Sequence, residues 1–271
     1  MSGAAGTLFA RSGMTLCRVS LCDRTMIDVS YLDRNGQRIA YRKRVGKGPG
    51  VIWLGGFRSD MDGTKAEALD AWAARRGRAC LRFDYFGHGH SSGDFVKGTI
   101  SHWRDDALAV IDALSEGPQI FVGSSMGGWI AMLAAMERPQ RVATLVLIAP
   151  AADFTEVLMW DQMDDATKRA VLDKGVWQRE SKYTEENYPI TRALIEDGRK
   201  NLILGAHHAL PYPVRILQGM ADPDVPWTHA MKLVDTFTGD VTITLVKNGD
   251  HRLSTPVDLK LLESTLDGLC E

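Results

Sequence analysis

The stretch QIFVGSSMGGWIAMLAAMERP, residues 119–139, joins a short β-rich apolar run to a long helical pattern with almost nothing between them. A turn that abrupt brings strand, turn residue and helix backbone into near contact, so the positions two before and two after the turn residue must be small. With Ser125 at the turn, those positions are Gly123 and Gly127. With Ser124 there they are Val122 and Met126, whose side chains clash. The spacing selects Ser125, its hydroxyl held above the C-terminal edge of a sheet, where open α/β sheets bind ligands. The backbone N–H of Met126 faces the same point, at the positive end of the helix that follows. The bland alternative is a Gly/Ser-rich turn before an ordinary helix; the strand before and the long helix after weigh against it.

Outward from this stretch the chain alternates compact apolar runs with helical patterns. IDVSYLD and QRIAYRK flank Asn35-Gly36, a dipeptide suited to a tight turn, and read as an opening hairpin. VIWL (51–54), ACLRF (79–83), QIFV (119–122), ATLVLIA (143–149), VRILQ (214–218) and VTITLV (241–246) lack polar alternation, as strands buried on both faces do. TKAEALDAWAARRG, SHWRDDALAVIDALSE and GGWIAMLAAMERP lie between several of them and read as helices. The expected fold is a mostly parallel sheet flanked by helices. One connection, residues 151–213, is too long for a simple crossover. It contains FTEVLMWDQMDDATKRAVL and ESKYTEENYPITRALIEDGRKNLIL, both read as helices, and forms a cap inserted after the sixth strand. The core is then 26–150 with 214–271.

A serine hydroxyl needs a base. Of the seven histidines, His251 in LVKNGDHRLS follows the last strand and lies at the sheet's C-terminal edge. His88 and His90, in DYFGHGHSSG, read as glycine-loop residues beside the site, and His102 as a packing or surface residue. The imidazole needs an acid to fix its tautomer. Asp222 in VRILQGMADPDVP sits at the outer bend after a buried strand; Asp224 is the competitor, as an Asx-turn residue. Gly55-Gly56 lets the chain bend close to Ser125, so that the amide of Phe57 joins that of Met126 as an oxyanion donor. Leu158, Met159, Trp160 and Met163 are adaptable apolar residues suited to an acyl pocket, or to gluing the cap to the core.

Bulk composition narrows the partners. The chain has 271 residues and a net charge of −2, which gives no field favouring nucleic acid or anionic lipid. No unbroken apolar run is long enough to span a bilayer. Residues 153–200 hold eleven acidic and eight basic side chains, a solvated outer face. Cys17, Cys22, Cys80 and Cys270 are scattered, with no CxxC pair and no zinc spacing, so no disulfide, metal or cofactor is expected. Cys80, in RACLRF, reads as core. Residues 1–25 are Arg- and Ser-containing with no acid before Asp23. They read as a poorly ordered leader of a cytoplasmic protein, or alternatively as a mitochondrial transit peptide.

From Met26 onward the chain resembles the serine α/β-hydrolases. LGGFRSDMDGTKAEALDAWAARRG, LRFDYFGHGHSSGDFVKGTISHW and GSSMGGW are similar to a branch containing mitochondrial α/β-hydrolase-domain palmitoyl-protein thioesterases and acyl-glucuronide esterases, with bacterial relatives. The resemblance implies the α/β-hydrolase fold, with nucleophile, acid and base on Ser125, Asp222 and His251 and oxyanion amides on Phe57 and Met126. Dehalogenases and epoxide hydrolases of this fold carry Asp at the turn; this chain carries Ser125. Serine peptidases and carbon–carbon bond hydrolases share the triad. The expected activity is carboxylic-ester hydrolysis through an acyl-enzyme, with thioester hydrolysis as the alternative. A non-catalytic binding protein of the same fold is a second alternative, which the complete triad disfavours.

Overall fold

The computed structural model describes Met1, residues 27–180 and residues 187–269. Eight strands form the central sheet: β1 (Ser30–Arg34), β2 (Gln37–Arg44), β3 (Lys47–Leu54), β4 (Arg78–Phe83), β5 (Gln119–Ser124), β6 (Val142–Ile148), β7 (Val214–Gly219) and β8 (Val241–Val246). Their spatial order is β1-β2-β4-β3-β5-β6-β7-β8. β2 pairs antiparallel with β1 and β4, and every other pairing in this sheet is parallel. The β1–β2 hairpin turns at Asn35 (φ 49°) and Gly36 (φ 78°), both left-handed as a two-residue turn of this hand requires.

Among the described residues seven α-helices accompany the sheet: α1 (Thr64–Arg76), α2 (Ile100–Leu114), α3 (Met126–Glu137), α4 (Asp165–Lys174), α5 (Arg192–Gly198), α6 (Trp227–Thr236) and α7 (Pro256–Asp267). Successive strand residues point to opposite faces, and this divides the core into two layers. Val51, Trp53, Ile120, Val122, Val146 and Ile148 pack with Leu69 and Trp72 of α1 and Leu262 and Leu266 of α7. Ile52, Leu54, Phe121, Leu145 and Leu147 face the other way, against Trp103 and Val110 of α2 and Trp129 of α3. Caps set the helix ends: Gly77 (φ 63°) closes α1, and a Thr255–Asp258 capping box with Pro256 opens α7. α3 is apolar on nearly every face because sheet, α2 and the β6–β7 connection all cover it.

Two features depart from the sequence reading. β8 alternates half-buried and exposed residues and is not buried on both faces, because it is the last strand of the sheet. The β6–β7 connection is only partly helical. It runs through a π-helical turn (Thr155–Met159), a 3-10 turn (Trp160–Gln162) and α4, then a two-stranded antiparallel ribbon, Val176–Arg179 with Tyr188–Thr191, before α5. Gly175 (φ 77°) stops α4, and Val176, Trp177, Tyr188, Ile190 and Thr191 are strand-forming residue types. Residues 2–25, with Cys17 and Cys22, and Cys270 lie outside the described residues. Cys80 is buried in β4, and that burial pushes its thiol up to about 12. No helix among the described residues is long and apolar enough to cross a membrane.

Trp129 ties α3 to the connection: it is fully buried, its Nε1–H donates to the Asn201 carbonyl at 3.1 Å, and its ring meets Phe154 edge-on at 5.7 Å. Trp129→Phe removes the hydrogen bond and is expected to lower the unfolding free energy by about 1–3 kcal/mol, and Trp129→Ala by about 3–5 kcal/mol. Denaturant titration checks both; equal stability of all three proteins contradicts this assignment.

Candidate active site

β5 ends at Ser124, and Ser125 turns the chain into α3 at φ 55° and ψ −122°. A side chain in that conformation is sterically strained and persists only where the surroundings hold it. Here the Ser125 N–H donates to Ile148 O at 2.9 Å, and Ser125 O accepts from Gly128 N at 2.9 Å and Ala151 N at 3.1 Å. The flanking glycines are required by contact. A Cβ on Gly123 stands 2.4 Å from Gly127 O, and one on Gly127 stands 2.1 Å from Leu54 O. Any larger residue forces β3, β5 and α3 apart.

Two loops at the same sheet edge bring His251 and Asp222 to the serine. His251 Nε2 lies 3.0 Å from Ser125 Oγ, and His251 Nδ1 lies 2.8 Å from Asp222 Oδ2. A carboxylate can only accept, so Nδ1 carries the proton and Nε2 is left as acceptor for the serine hydroxyl. Asp222 is buried, and its side chain is saturated. Oδ1 accepts from the amides of Asp224 (2.8 Å) and Val225 (2.9 Å); Oδ2 accepts from Gln218 Nε2 (3.2 Å) and His251. Asp222, Asp224 and His251 have ligand atoms within 4.8 Å of one another, yet these four bonds already occupy the lone-pair sites of the Asp222 carboxylate without a cation. Asp224 turns its own carboxylate towards Arg179, at 3.9 Å. The two loops are fastened by Ala221 N to Gly249 O (3.0 Å), and Gly219 is obligatory, since a Cβ there meets Gly249 O at 2.3 Å. Gly219 is a contact that the sequence does not announce.

The third approach comes from the β3–α1 loop. Gly56 passes close enough that a Cβ on it stands 3.4 Å from Ser125 Cβ. Phe57 and Met126 line the cavity beside Ser125, and among the described residues neither amide is used in a backbone hydrogen bond. This loop rests on His88, whose part the sequence left unassigned. Arg58 sits at φ 57°, and its amide donates to His88 Nε2 at 3.2 Å, while His88 Nδ1–H donates to Phe86 O at 3.1 Å. Burial among Tyr85, Phe95 and Trp103 pulls the imidazole down to about 4, so it is neutral and able to accept. The other histidines lie elsewhere: His102 stacks on Phe86 at 4.2 Å, and buried His229 bonds Ala152 O at 2.8 Å.

A cavity of about 430 Å³ opens over Ser125. Its apolar flank holds Phe57, Ala151, Phe154, Leu158, Met159 and Tyr188. Of the four residues considered for an acyl pocket, Leu158 and Met159 line this cavity, and Trp160 and Met163 are not among its lining residues. The chain passes from π-helical to 3-10 geometry after Met159, and all four residues belong to the core cluster or pack against it. Arg199 and Lys168 cover the Trp160 ring at 4.8 and 5.6 Å.

Comparison with known proteins gives the family and the fold. The family profile described as serine aminopeptidase, S33, matches residues 56–187. The human mitochondrial palmitoyl-protein thioesterase ABHD10 is 40% identical over 251 residues, covering 92% of this chain and 82% of that protein. A crystal structure from Agrobacterium vitis S4 superposes with a TM-score of 0.87 at 43% identity, covering 90% of this chain and 99% of the other. Mouse α/β-hydrolase domain-containing protein 10 superposes with a TM-score of 0.84 at 37% identity, covering 90% and 98%. The strained serine turn, the eight-stranded sheet and these relatives together place the chain in the serine α/β-hydrolase superfamily, in the branch of the ABHD10 hydrolases.

Proposed function

We propose that this hydrolase cleaves carboxylic esters through an acyl-enzyme on Ser125. One observation carries the reading: the unbroken hydrogen-bonded chain from Asp222 through His251 to Ser125 Oγ. His251 Nε2 takes the hydroxyl proton as Oγ bonds to the substrate carbonyl carbon. The carbonyl oxygen becomes an oxyanion and accepts from the amides of Phe57 and Met126, each worth ~3 kcal/mol by analogy with measured donor deletions. His251 then returns the proton to the leaving oxygen as the carbon–oxygen bond breaks. Water, giving its proton to His251, releases the acid and restores Ser125. Asp222 stays ionised throughout, holding the ring and stabilising its charged form. His88 holds the Phe57–Arg58 turn in place from behind and touches no reacting atom.

Residues 151–213 serve as the cap, with Leu158 and Met159 offering an apolar wall to the acyl group. Thioester hydrolysis is the second reading, favoured by the name of the ABHD10 relatives, palmitoyl-protein thioesterase. The same triad serves it, with sulfur as the leaving atom. That name also says mitochondrial, which supports the second of the two addresses considered for the chain. A series of nitrophenyl esters and acyl thioesters of rising chain length separates the two substrate classes.

Ser125→Ala is expected to abolish hydrolysis in a folded protein, whereas Ser124→Ala keeps most of it, because the Ser124 hydroxyl takes no part in the chain. Similar losses in both variants, with folding intact by circular dichroism, would overturn the choice of turn residue.

Asp222→Asn is expected to cut kcat by about 10³–10⁴-fold, the scale seen when a protease triad loses its acid. Asp224→Asn keeps the main-chain N–H that Asp222 uses, and kcat is expected to change by no more than about threefold. Steady-state kinetics on one good ester decide it, and the reverse ranking assigns the role to Asp224.

A further inference from the structure

One side chain of β7 is out of place in the buried middle of the sheet. Val214, Ile216 and Leu217 are apolar and buried, as the position of β7 between β6 and β8 requires. Gln218 is buried beside them at 0% exposure, and it carries an amide. Its backbone is fixed in register, opposite Leu245 of β8. A polar group removed from water in this way needs its hydrogen bonds made in place.

Only half of that requirement is met. Gln218 Nε2 donates to Gly219 O (3.0 Å), Val225 O (3.0 Å) and Asp222 Oδ2 (3.2 Å), while Oε1 has no partner among the described residues. All three partners are acceptors, so turning the amide over would set oxygen against oxygen, and the surroundings fix its orientation. Two N–H groups thus serve three oxygens, at the start, the bend and the end of the acid loop, and the side-chain carbonyl is left unsatisfied. A buried group that breaks this rule beside a reaction centre points to function at the expense of stability. Bracing the loop needs only the two main-chain carbonyls; the contact with Asp222 does more. Its Oδ2 is the oxygen that accepts from His251 Nδ1 at 2.8 Å, whereas Oδ1 is taken up by the amides of Asp224 and Val225. Gln218 and His251 therefore share one oxygen of the acid. A second donor there keeps the carboxylate from turning and draws charge from Oδ2, and both effects reach the imidazole.

Resting on the serine-hydrolase reading, we propose that Gln218 is a positioning residue of the triad, whose side-chain N–H holds Asp222 Oδ2 towards His251 and moderates the pull of that carboxylate on the imidazole. Without this donor Oδ2 keeps more negative charge, the imidazolium is favoured, and the base is neutral only at higher pH. Charged groups surround His251 from every side: Asp222 and Asp224 on the acid loop, Asp250 and Arg252 on its own loop, Lys65 on α1, Arg58 on the β3–α1 loop, and Arg179 and Glu180 at the end of the first ribbon strand. A substitution at Gln218 alters none of them, so a change in the pH profile belongs to the lost N–H.

The test is the pH profile of kcat/KM on 4-nitrophenyl acetate, whose acid inflection reports the base of the free enzyme. Gln218→Met removes the donor at nearly equal volume. It is expected to move that inflection up by about half a pH unit or more, and to lower kcat on the plateau by about tenfold with KM changed no more than about twofold. Gln218→Asn withdraws the amide by one methylene and is expected to move the inflection the same way, which serves if Gln218→Met does not fold. An inflection that stays in place, or moves to lower pH, makes Gln218 a loop brace only and overturns the proposal, whatever kcat does. NMR titration of the His251 ring in Ser125→Ala, with and without Gln218→Met, reads the same displacement without turnover. A midpoint displaced to higher pH supports the assignment even in a protein that hydrolyses no ester, where only the ester reading fails; coincident titration curves overturn it.

Discussion

Everything at this sheet edge depends on one crowded turn. Ser125 is held at φ 55°, and the chain can adopt that turn only because Gly123 and Gly127 let three backbones touch. Strain of this kind costs on the order of 1–3 kcal/mol and is maintained by the over-determined packing around it. That packing is the central parallel sheet: β5, nearly all of β6 and the Gly50–Leu54 part of β3 are buried, and Ile148 at the end of β6 supplies the carbonyl that fixes the Ser125 amide. The stability of the core is what holds the half-buried Ser125 in an unfavourable backbone geometry.

Three further loops meet this turn, and each is fixed by its own polar bonds. The acid loop folds around the Asp222 carboxylate, whose four hydrogen bonds leave it little freedom to move. The histidine loop is locked to the acid loop through Gly219 and Gly249. The Phe57–Arg58 turn is held by His88, a histidine that serves because burial keeps it neutral. Two imidazoles thus do different work a short distance apart. One is oriented by a carboxylate and faces the cavity; the other is desolvated and faces a main-chain amide.

How much of this could be read in advance follows from what constrains each residue. Ser125, Gly123 and Gly127 were legible because steric contact between backbones dictates residue type at fixed spacing. Asp222 and His251 were legible as the polar residues on loops after the last strands, and the structure brings both to Ser125. The ranking of Asp222 over Asp224 rested on loop position; in space the Asp224 carboxylate faces Arg179 instead. Other features leave no local signature. An apolar side chain says that it is buried, not against what, so the sequence groups Trp160 and Met163 with Leu158 and Met159, although all four pack on the core and only the last two also line the cavity. Of the ribbon, Tyr188–Thr191 lies within a charged stretch that reads as a helix, and Val176–Arg179 lies between the two stretches that do. His88 acts through a contact thirty residues away in the chain, which no spacing rule reports.

The central claim is that Ser125 is the nucleophile. Its most direct measurement is mass spectrometry of the protein after reaction with a fluorophosphonate, followed by peptide mapping. One adduct per chain is expected, on the peptide containing Ser125 and on Ser125 itself, with none formed in His251→Ala. An adduct on Ser124 or another residue, or a folded protein that hydrolyses esters yet takes no label, contradicts it.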